Sequence, residues 1–336
     1  MVLLMATTFS ADFHYFRSSA IPRLSIRQPR HAAQYSLALA TSLRGNIISL
    51  IVSDAAIGLH SLLYRYGSSN RDKGKVSKLH NRDTYVSGPE FGASKGIVVV
   101  ISDAFGWELP NTRIWADRLA EKGGWTVLVP DFMDGHPAPV SLMDTMLNLT
   151  KKGTLRDTLW KPYYALRAIP GFAAFGFFNR FGAAWPRVHS YFAALRSAPE
   201  SSCLPVGVAG FCWGGLYAVK LAAEGKGERG LVDAAFTAHP QPLTLPEDVA
   251  HVVKPTAVAI GDRDWAIRLS GIEIIRKAFV ERSGEGVECE LVLYEGAGHG
   301  FAVRYDPGNG KLAEQAEAAE NQAVAWFNRW FAAAHP

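Results

Sequence analysis

Short apolar runs without polar alternation recur along the chain from about residue 96, and several are followed by segments with apolar residues at helical spacing. The runs are GIVVVISD, WTVLVPD, VGVAGFC, DAAFTAHP, TAVAIGDRD and CELVLYEGAGH. The helical segments include NTRIWADRLAEKG, GLYAVKLAAEG and a long final one, KLAEQAEAAENQAVAWFNRWFAAA. Strands that are apolar on both faces are typical of parallel sheets covered by helices. The pattern therefore predicts an α/β fold, with a mostly parallel, doubly wound sheet and helices on both faces.

Residues 138–200 interrupt this alternation with an aromatic-rich stretch that is punctuated by Pro162, Pro170, Pro186 and several glycines. An ordinary helical crossover explains RVHSYFAALRSAPE, the part that leads into the next strand. For residues 150–182 we favour a helical cap over the functional site, because such insertions commonly carry function. The sequence thus predicts a cap-like insertion over about residues 138–185.

The first 53 residues differ in composition from the rest. They carry five arginines, no lysine and a single acid, Asp12, with frequent serines. This composition is typical of an organelle transit peptide, while a disordered extension or a misassigned start codon explains it equally well. The following run, NIISLIVSDAAIGLHSLLYRY, is interrupted by Asp54 and His60, so it predicts an amphipathic helix packed on the body and not a membrane span.

The polar segment GSSNRDKGKVSKLHNRD then indicates a linker or surface loop, with the folded domain beginning near Thr84. We divide the chain into an N-terminal extension, residues 1–67, and one domain, residues 68–336. Localisation is expected to be cytoplasmic, or mitochondrial if residues 1–53 act as a transit peptide.

Composition excludes several classes of protein. The chain of 336 residues is 48% hydrophobic and 20% charged, with a net charge of +4 and no basic block suited to nucleic acid. Its three cysteines, Cys203, Cys212 and Cys289, form neither a disulfide framework nor a C-x-x-C zinc motif, so a reducing compartment is expected. Neither H-E-x-x-H nor a convincing G-x-G-x-x-G is present, and we expect no metal and no organic cofactor.

The segment Gly210–Gly215 has the form G-x-C-x-G-G, placed between a buried strand and a helix. This is the nucleophile-elbow pattern G-x-S-x-G with Cys212 at the position of the serine. A tight strand-to-helix turn strains the backbone at the nucleophile and requires small neighbours. The N-terminus of the following helix favours a thiolate. A buried, inert cysteine is the alternative, and it fits Cys203 and Cys289 better.

A nucleophilic thiol needs a base, and the base needs an acid that orients it. Downstream of Cys212, Asp262 and Asp264 follow one strand, and His299 follows the last strand between two glycines. The order nucleophile, acid, histidine is that of α/β-hydrolases. We favour Asp264 as the acid, while Asp262 remains open. His239 also follows a strand and is a candidate to line the site.

Four motifs occur in order along the chain: SDAFGW, GFCWGG, GDRDWA and GHGFAVR. Together they resemble the dienelactone hydrolase family over roughly residues 84–335, and the first and last of them are similar to motifs of its fungal branch. The resemblance implies an α/β-hydrolase fold and a carboxymethylenebutenolidase-like ester hydrolase. It implies Cys212 as nucleophile, Asp264 as orienting acid and His299 as base. It also implies an oxyanion hole made by the backbone N–H groups of Trp213 and Ala104.

Three further candidates come from this resemblance and modulate the thiol or contact the substrate. Asp103 stands where bacterial members carry a glutamate that interacts with the resting thiol, and it is one methylene shorter. A turn or helix-start residue is the alternative role for Asp103. Arg304 resembles an arginine that holds the substrate carboxylate, with a surface salt bridge as the alternative. Phe105, in the loop after the first strand, is a candidate substrate contact.

Our leading hypothesis is hydrolysis of a lactone or small ester through a Cys-His-Asp triad and a thioester acyl-enzyme. A thioesterase or polyketide-processing enzyme of secondary metabolism is the second possibility, because an aromatic cap suits such substrates. A non-catalytic ligand-binding or redox-sensing protein is the third, because a low-pKa thiol is also readily oxidised. The expected partner is a small-molecule substrate, without nucleic acid and without a stable membrane span.

Overall fold

The computed structural model describes residues 73–150, 153–225, 230–305 and 308–334. The predictions for the N-terminal extension, residues 1–67, lie outside the described residues. So does the beginning of the predicted linker.

The strands form one eight-stranded sheet in the order β1-β2-β4-β3-β5-β6-β7-β8. Their bounds are β1 Lys75–Leu79, β2 Arg82–Ser87, β3 Ile97–Ile101, β4 Thr126–Pro130, β5 Val206–Phe211, β6 Ala234–Ala238, β7 Thr256–Arg263 and β8 Cys289–Gly298. Strand β2 pairs antiparallel with β1 and β4, and the remaining neighbours are parallel. The six apolar runs identified in the sequence are β3 to β8, which confirms the mostly parallel α/β fold.

Eight α-helices connect and cover these strands within the described residues. They are α1 Pro110–Gly123, α2 Ser141–Thr150, α3 Leu155–Phe178, α4 Phe181–Ser197, α5 Trp213–Ala222, α6 Glu247–Ala250, α7 Leu269–Gly284 and α8 Gly310–Ala334. The sequence pattern had not singled out α7. None of the helices in this part of the chain is both long and apolar enough to cross a membrane.

A β-hairpin lies where the sequence predicted the end of a linker or surface loop. Strand β1 and the start of β2 lie within the segment that was expected to be a loop, so the domain begins before Thr84. The turn between them has positive φ at His80 and Asn81 (47° and 65°), the geometry of a type I′ hairpin turn. The prediction was wrong because β1 is largely exposed and lacks the apolar run that marked the inner strands.

The sheet is covered by a hydrophobic core on each face. On one face, the Trp125 ring makes edge contacts with Phe327 and Phe331 of α8, with ring centroids 5.9 and 5.4 Å apart. On the other, Tyr191 and Phe192 of α4 are fully buried. Burial of such side chains is the main favourable term in folding, and it fixes the positions of the strand ends.

Helices α2, α3 and α4 occupy the segment that the sequence marked as an insertion. The long helix α3 begins with a capping box, in which Thr154 and Asp157 each bond the backbone of the other. It continues through Pro162 and Pro170, which both lie on its exposed face. Helix α4 packs on the sheet, as expected of a crossover. Closure of α2 and α3 over a bound substrate stays a prediction.

Candidate active site

Cys212 occupies the turn between β5 and α5. Its backbone has φ of 50° and ψ of −112°, a region that side-chain-bearing residues rarely adopt. Two hydrogen bonds hold this strained turn: Cys212 N–H donates to the Ala238 carbonyl at 3.2 Å, and Gly215 N–H donates to the Cys212 carbonyl at 2.9 Å. The geometry matches a nucleophile elbow, in which strain is retained because the surroundings impose it.

The small residues of the elbow allow close backbone contacts. A Cβ on Gly214 would lie 2.1 Å from the Ile101 carbonyl oxygen, at the end of β3. A Cβ on Gly210 would lie 2.4 Å from the Gly214 carbonyl oxygen. The G-x-C-x-G pattern is therefore required by packing between β3, β5 and α5.

Gly214→Ala should lower the free energy of unfolding by about 3 kcal/mol, since a methyl group must displace backbone and not a flexible side chain. Urea denaturation measures this change. Gly284→Ala is the matched control, because its Cβ meets nothing within 4 Å and should leave stability unchanged or slightly higher. Equal stabilities of the two variants would contradict the packing argument.

His299 follows β8 and lies against Asp264, which follows β7. Its Nδ1 is 3.0 Å from both carboxylate oxygens of Asp264. The side chains of both residues are almost fully buried. Asp262 lies elsewhere: its Oδ1 accepts a hydrogen bond from Gly296 N–H at 2.6 Å. The structure thus brings Asp264, and not Asp262, to the imidazole.

The charges of Cys212 and His299 stabilise each other. Burial alone raises the pKa of the Cys212 thiol, but the charge of His299 and hydrogen bonding with it outweigh burial, aided by Arg304, so that the pKa lies below its ordinary value. Burial lowers the pKa of His299, but the thiolate charge and Asp264 raise it overall. Together these shifts favour a thiolate-imidazolium pair.

The predicted oxyanion donors lie at the start of α5 and in the loop after β3. Trp213 is the first residue of α5, where a backbone N–H has no acceptor within its own helix. Ala104 lies in the loop after β3, and its carbonyl accepts from Ala138 N–H at 2.7 Å. The residue after the nucleophile and an early strand-helix loop are the two sources of oxyanion donors in this type of site.

Asp103 and Arg304 form a buried ion pair beside the thiol. Arg304 Nε lies 3.0 Å from Asp103 Oδ2, and the arginine side chain is only 17% exposed, so a surface salt bridge is the wrong description. Asp103 Oδ1 also accepts from Phe105 N–H at 3.0 Å, as expected of a turn residue. The Arg304 guanidinium lies over the Phe105 ring, 5.0 Å from its centroid. The two charges act on the pKa of Cys212 in opposite directions.

Sequence analysis missed Gln241, which contacts the nucleophile twice. Its side-chain amide Nε2 donates to Cys212 Sγ at 3.2 Å, and its backbone N–H donates to the Cys212 carbonyl at 2.8 Å. The available signal was its position just after β6, the strand next to β5. A donor on the sulfur favours the charged thiolate.

His239 and Trp265 enclose the imidazole of His299. The His239 ring centroid lies 5.0 Å from that of His299, and the Trp265 centroid lies 4.9 Å from it. Burial, then the charges of His299 and Arg304, lower the pKa of His239 well below its ordinary value. His239 is thus a neutral ring that lies against the candidate base.

The other two cysteines differ from the expectation of buried, inert thiols. Cys203 is exposed, because it lies in the turn that precedes β5 and not in the sheet. Cys289, at the start of β8, is half-buried, and burial raises its pKa to about 12. Of the three thiols, Cys212 is the one that is buried and has a lowered pKa.

The structure places a candidate nucleophile, Cys212, and a candidate base, His299 with its Asp264 partner, at one edge of the sheet. Every one of these groups follows the carboxyl end of a parallel strand, where ligands bind in open α/β sheets. Within the described ranges, no group of three or more histidine, cysteine or acidic side chains is arranged to hold a metal ion. Cys212, His299 and Asp264 are residue types suited to covalent acyl transfer.

Comparison with known proteins agrees with this geometry. The family model for the dienelactone hydrolase family matches residues 83–331. Hydrolase tropI of Talaromyces stipitatus is 26% identical over an alignment that covers 82% of this chain and 98% of tropI. The carboxymethylenebutenolidase homolog of Mus musculus is 24% identical over an alignment that covers 76% of this chain and 91% of the mouse protein. Carboxyl esterase 2 of Tuber melanosporum has a similar fold, with a TM-score of 0.50, 13% identity and coverage of 79% and 89%.

Proposed function

Because this chain belongs to the dienelactone hydrolase family and is a carboxylic ester hydrolase, we propose that it cleaves a lactone or small ester with Cys212 as nucleophile, His299 as base and Asp264 as orienting acid. The observations that support this proposal are the 3.0 Å distance from His299 Nδ1 to the Asp264 carboxylate and the effect of the His299 charge on the pKa of the Cys212 thiol, which it lowers. A chain of nucleophile, base and orienting acid is the arrangement that covalent acyl transfer requires.

In the first half-reaction, the Cys212 thiolate attacks the substrate carbonyl carbon. The N–H groups of Trp213 and Ala104 stabilise the negative charge that develops on the carbonyl oxygen. The carbon–oxygen bond of the ester then breaks, and the leaving alkoxide takes the proton from His299 Nε2. The product of this step is a thioester between Cys212 and the acyl group.

In the second half-reaction, His299 Nε2 removes a proton from water, which attacks the thioester carbonyl. The carbon–sulfur bond breaks and releases the carboxylic acid and the thiolate. Asp264 holds the proton on Nδ1 throughout, so that Nε2 faces the reacting atoms in the required tautomer.

A substrate panel tests the reaction class. The full-length protein is assayed with dienelactone, aryl esters and acyl thioesters, and the acylated Cys212 peptide is sought by mass spectrometry after rapid quenching. We expect turnover of lactones or small esters and a transient mass increase at Cys212. Turnover confined to thioesters would favour the thioesterase alternative. Alkylation of Cys212 without any turnover would favour a binding or sensing role.

The pH dependence of alkylation tests the thiolate-imidazolium pair. Only the thiolate reacts with iodoacetamide, so a lowered pKa extends the reactivity of Cys212 to lower pH than that of an ordinary thiol, and reactivity falls as the pH drops through that pKa. His299→Gln removes the cation that lowers the pKa, and the profile of Cys212 should move to higher pH. Peptide mass spectrometry separates the three thiols, and Cys289, with its raised pKa, serves as the internal reference.

A Cys212 profile identical in wild type and His299→Gln would contradict the pairing. The pairing would also be contradicted if Cys212 and Cys289 lost their reactivity at the same pH as the pH is lowered from alkaline values.

A further inference from the structure

The outward side of α3 is an apolar stripe made of Leu155, Leu159, Leu166, Ile169, Ala173 and Phe177. The spacing of three, four or seven residues places these positions on one face of the helix. Leu155, Leu159 and Leu166 are 77%, 72% and 68% exposed. The opposite face carries Ala168, which is buried. The most apolar face of α3 therefore points away from the protein, whereas a surface helix usually packs its apolar face on the core.

The exposed apolar side chains of this protein are concentrated on and next to α3. In the described part of the chain, nine of the fifteen strongly exposed large hydrophobic side chains lie between Leu155 and Phe181. Eight of them lie on α3, a helix of 24 residues that is about 36 Å long, and Phe181 is the first residue of α4. Single exposed apolar residues are ordinary, but a continuous apolar surface marks an interaction site.

The charges around the stripe are mostly positive. Arg156, Lys161 and Arg167 lie on the flanks of α3, and Arg180 follows its end. The only acid of the helix is Asp157, which is engaged with Thr154 in the capping box at its first turn. Trp160, Tyr163 and Tyr164 add amphipathic aromatic rings near the N-terminal half.

A second copy of this chain fits the stripe poorly. Paired helices use acidic and basic side chains beside the apolar seam to attract each other. Here the charged side chains of α3 beyond its first turn are all basic, so two copies would bring like charges together. Pro162 and Pro170 also lie on the exposed side, where their rings interrupt regular knobs-into-holes packing.

We propose that the apolar stripe of α3 docks on an anionic lipid surface. An interfacial helix buries apolar and aromatic side chains at the boundary of headgroups and acyl chains, while its lysines and arginines attract anionic headgroups. The stripe, its aromatic rings and its basic flanks supply each of these features. Prolines on the exposed side are compatible with such a surface, because the carbonyl groups they leave free meet hydrated headgroups.

The docked helix is connected directly to the elbow. Asn179 ends α3, and its carbonyl accepts from the Trp213 indole N–H at 3.3 Å, while Phe175 contacts the Trp213 ring with centroids 6.1 Å apart. Trp213 follows Cys212. Lipid binding through α3 therefore holds the nucleophile close to a membrane surface, where apolar esters concentrate.

Vesicle sedimentation of the full chain tests this proposal. The vesicles contain phosphatidylcholine alone or phosphatidylcholine mixed with phosphatidylserine. We expect binding to the anionic vesicles that weakens with added salt. The double variant Leu159→Gln/Leu166→Gln should bind at least about tenfold more weakly, since it removes two inserted side chains. Leu269→Gln/Val280→Gln is the matched control, with exposed apolar residues of α7 that should not affect binding.

Several results would overturn the proposal. Binding that is equal in wild type and Leu159→Gln/Leu166→Gln would assign the lipid contact to another part of the chain. A concentration-dependent dimer that the double variant dissociates, without vesicle binding, would assign the stripe to a second copy. Absence of both would leave α3 without a role at lipid surfaces. Unchanged hydrolysis of a soluble ester by the double variant verifies that it folds.

Discussion

Replacement of Cys212 by alanine should abolish hydrolysis, with kcat/KM reduced by at least about 10⁴-fold, the order of loss seen when a covalent nucleophile is removed. No other group near the elbow can form the acyl-enzyme, because His299 and Gln241 act on the sulfur and not in its place. Alanine keeps the Cβ of cysteine, so the strained backbone with φ of 50° is unchanged. Steady-state kinetics on the best ester substrate measure the loss.

The matched control is Cys203→Ala, which removes an exposed thiol in the turn before β5, at the opposite end of that strand from the elbow, and should retain full activity. Thermal unfolding of both variants verifies that the fold is intact. Substantial hydrolysis by folded Cys212→Ala would remove the covalent mechanism. Cys212→Ser adds a further comparison: a hydroxyl has a far higher pKa than a thiol, so the charge of His299 cannot keep it ionised, and we expect activity well below wild type.

Asp264→Asn should lower kcat by about 10³–10⁴-fold, as expected when the orienting carboxylate of a triad becomes an amide. The amide can still accept a hydrogen bond from Ala266 N–H, which donates to Asp264 Oδ1 at 2.8 Å, so the loop after β7 should keep its shape. The amide cannot stabilise an imidazolium, and it permits the wrong tautomer of His299. The pKa of His299 should fall, because one of the groups that raise it is lost.

Asp262→Asn is the control for this variant. Asp262 is two residues away and accepts a hydrogen bond from Gly296 N–H, a role that an asparagine oxygen also fills. Its activity should therefore remain close to wild type. The comparison also decides the assignment that the sequence left open, since a large loss in Asp262→Asn with little loss in Asp264→Asn would reverse the two roles.

The elbow could be predicted from sequence because its constraints are local. A buried strand, three glycines and a helix lie within about fifteen consecutive residues, and steric exclusion at Gly210 and Gly214 leaves few alternatives. His299 was predictable for a related reason, since its flanking glycines and its position after the last apolar run marked it. The order of the strands then placed both residues at one edge of the sheet.

Other features depend on contacts between residues distant in sequence. Gln241 reaches Cys212 only because β6 pairs with β5, and nothing in its own neighbourhood indicates a role. The pairing of Asp103 with Arg304 joins positions 201 residues apart, so the sequence could suggest each residue but not their contact. The reversed polarity of α3 was equally hidden, because an apolar helix face predicts burial in the absence of structure.

The hairpin at the start of the domain has a consequence for solubility. Strand β1 forms the last position of the sheet, and it exposes Lys75 and Lys78 on a short strand. An open strand edge is a template for pairing with other chains, and charged side chains there oppose such pairing. The inner strands β3 to β6 are buried at every residue and would aggregate readily if their edge were open. By covering β4, the hairpin gives the sheet a lysine-bearing border that resists edge-to-edge aggregation.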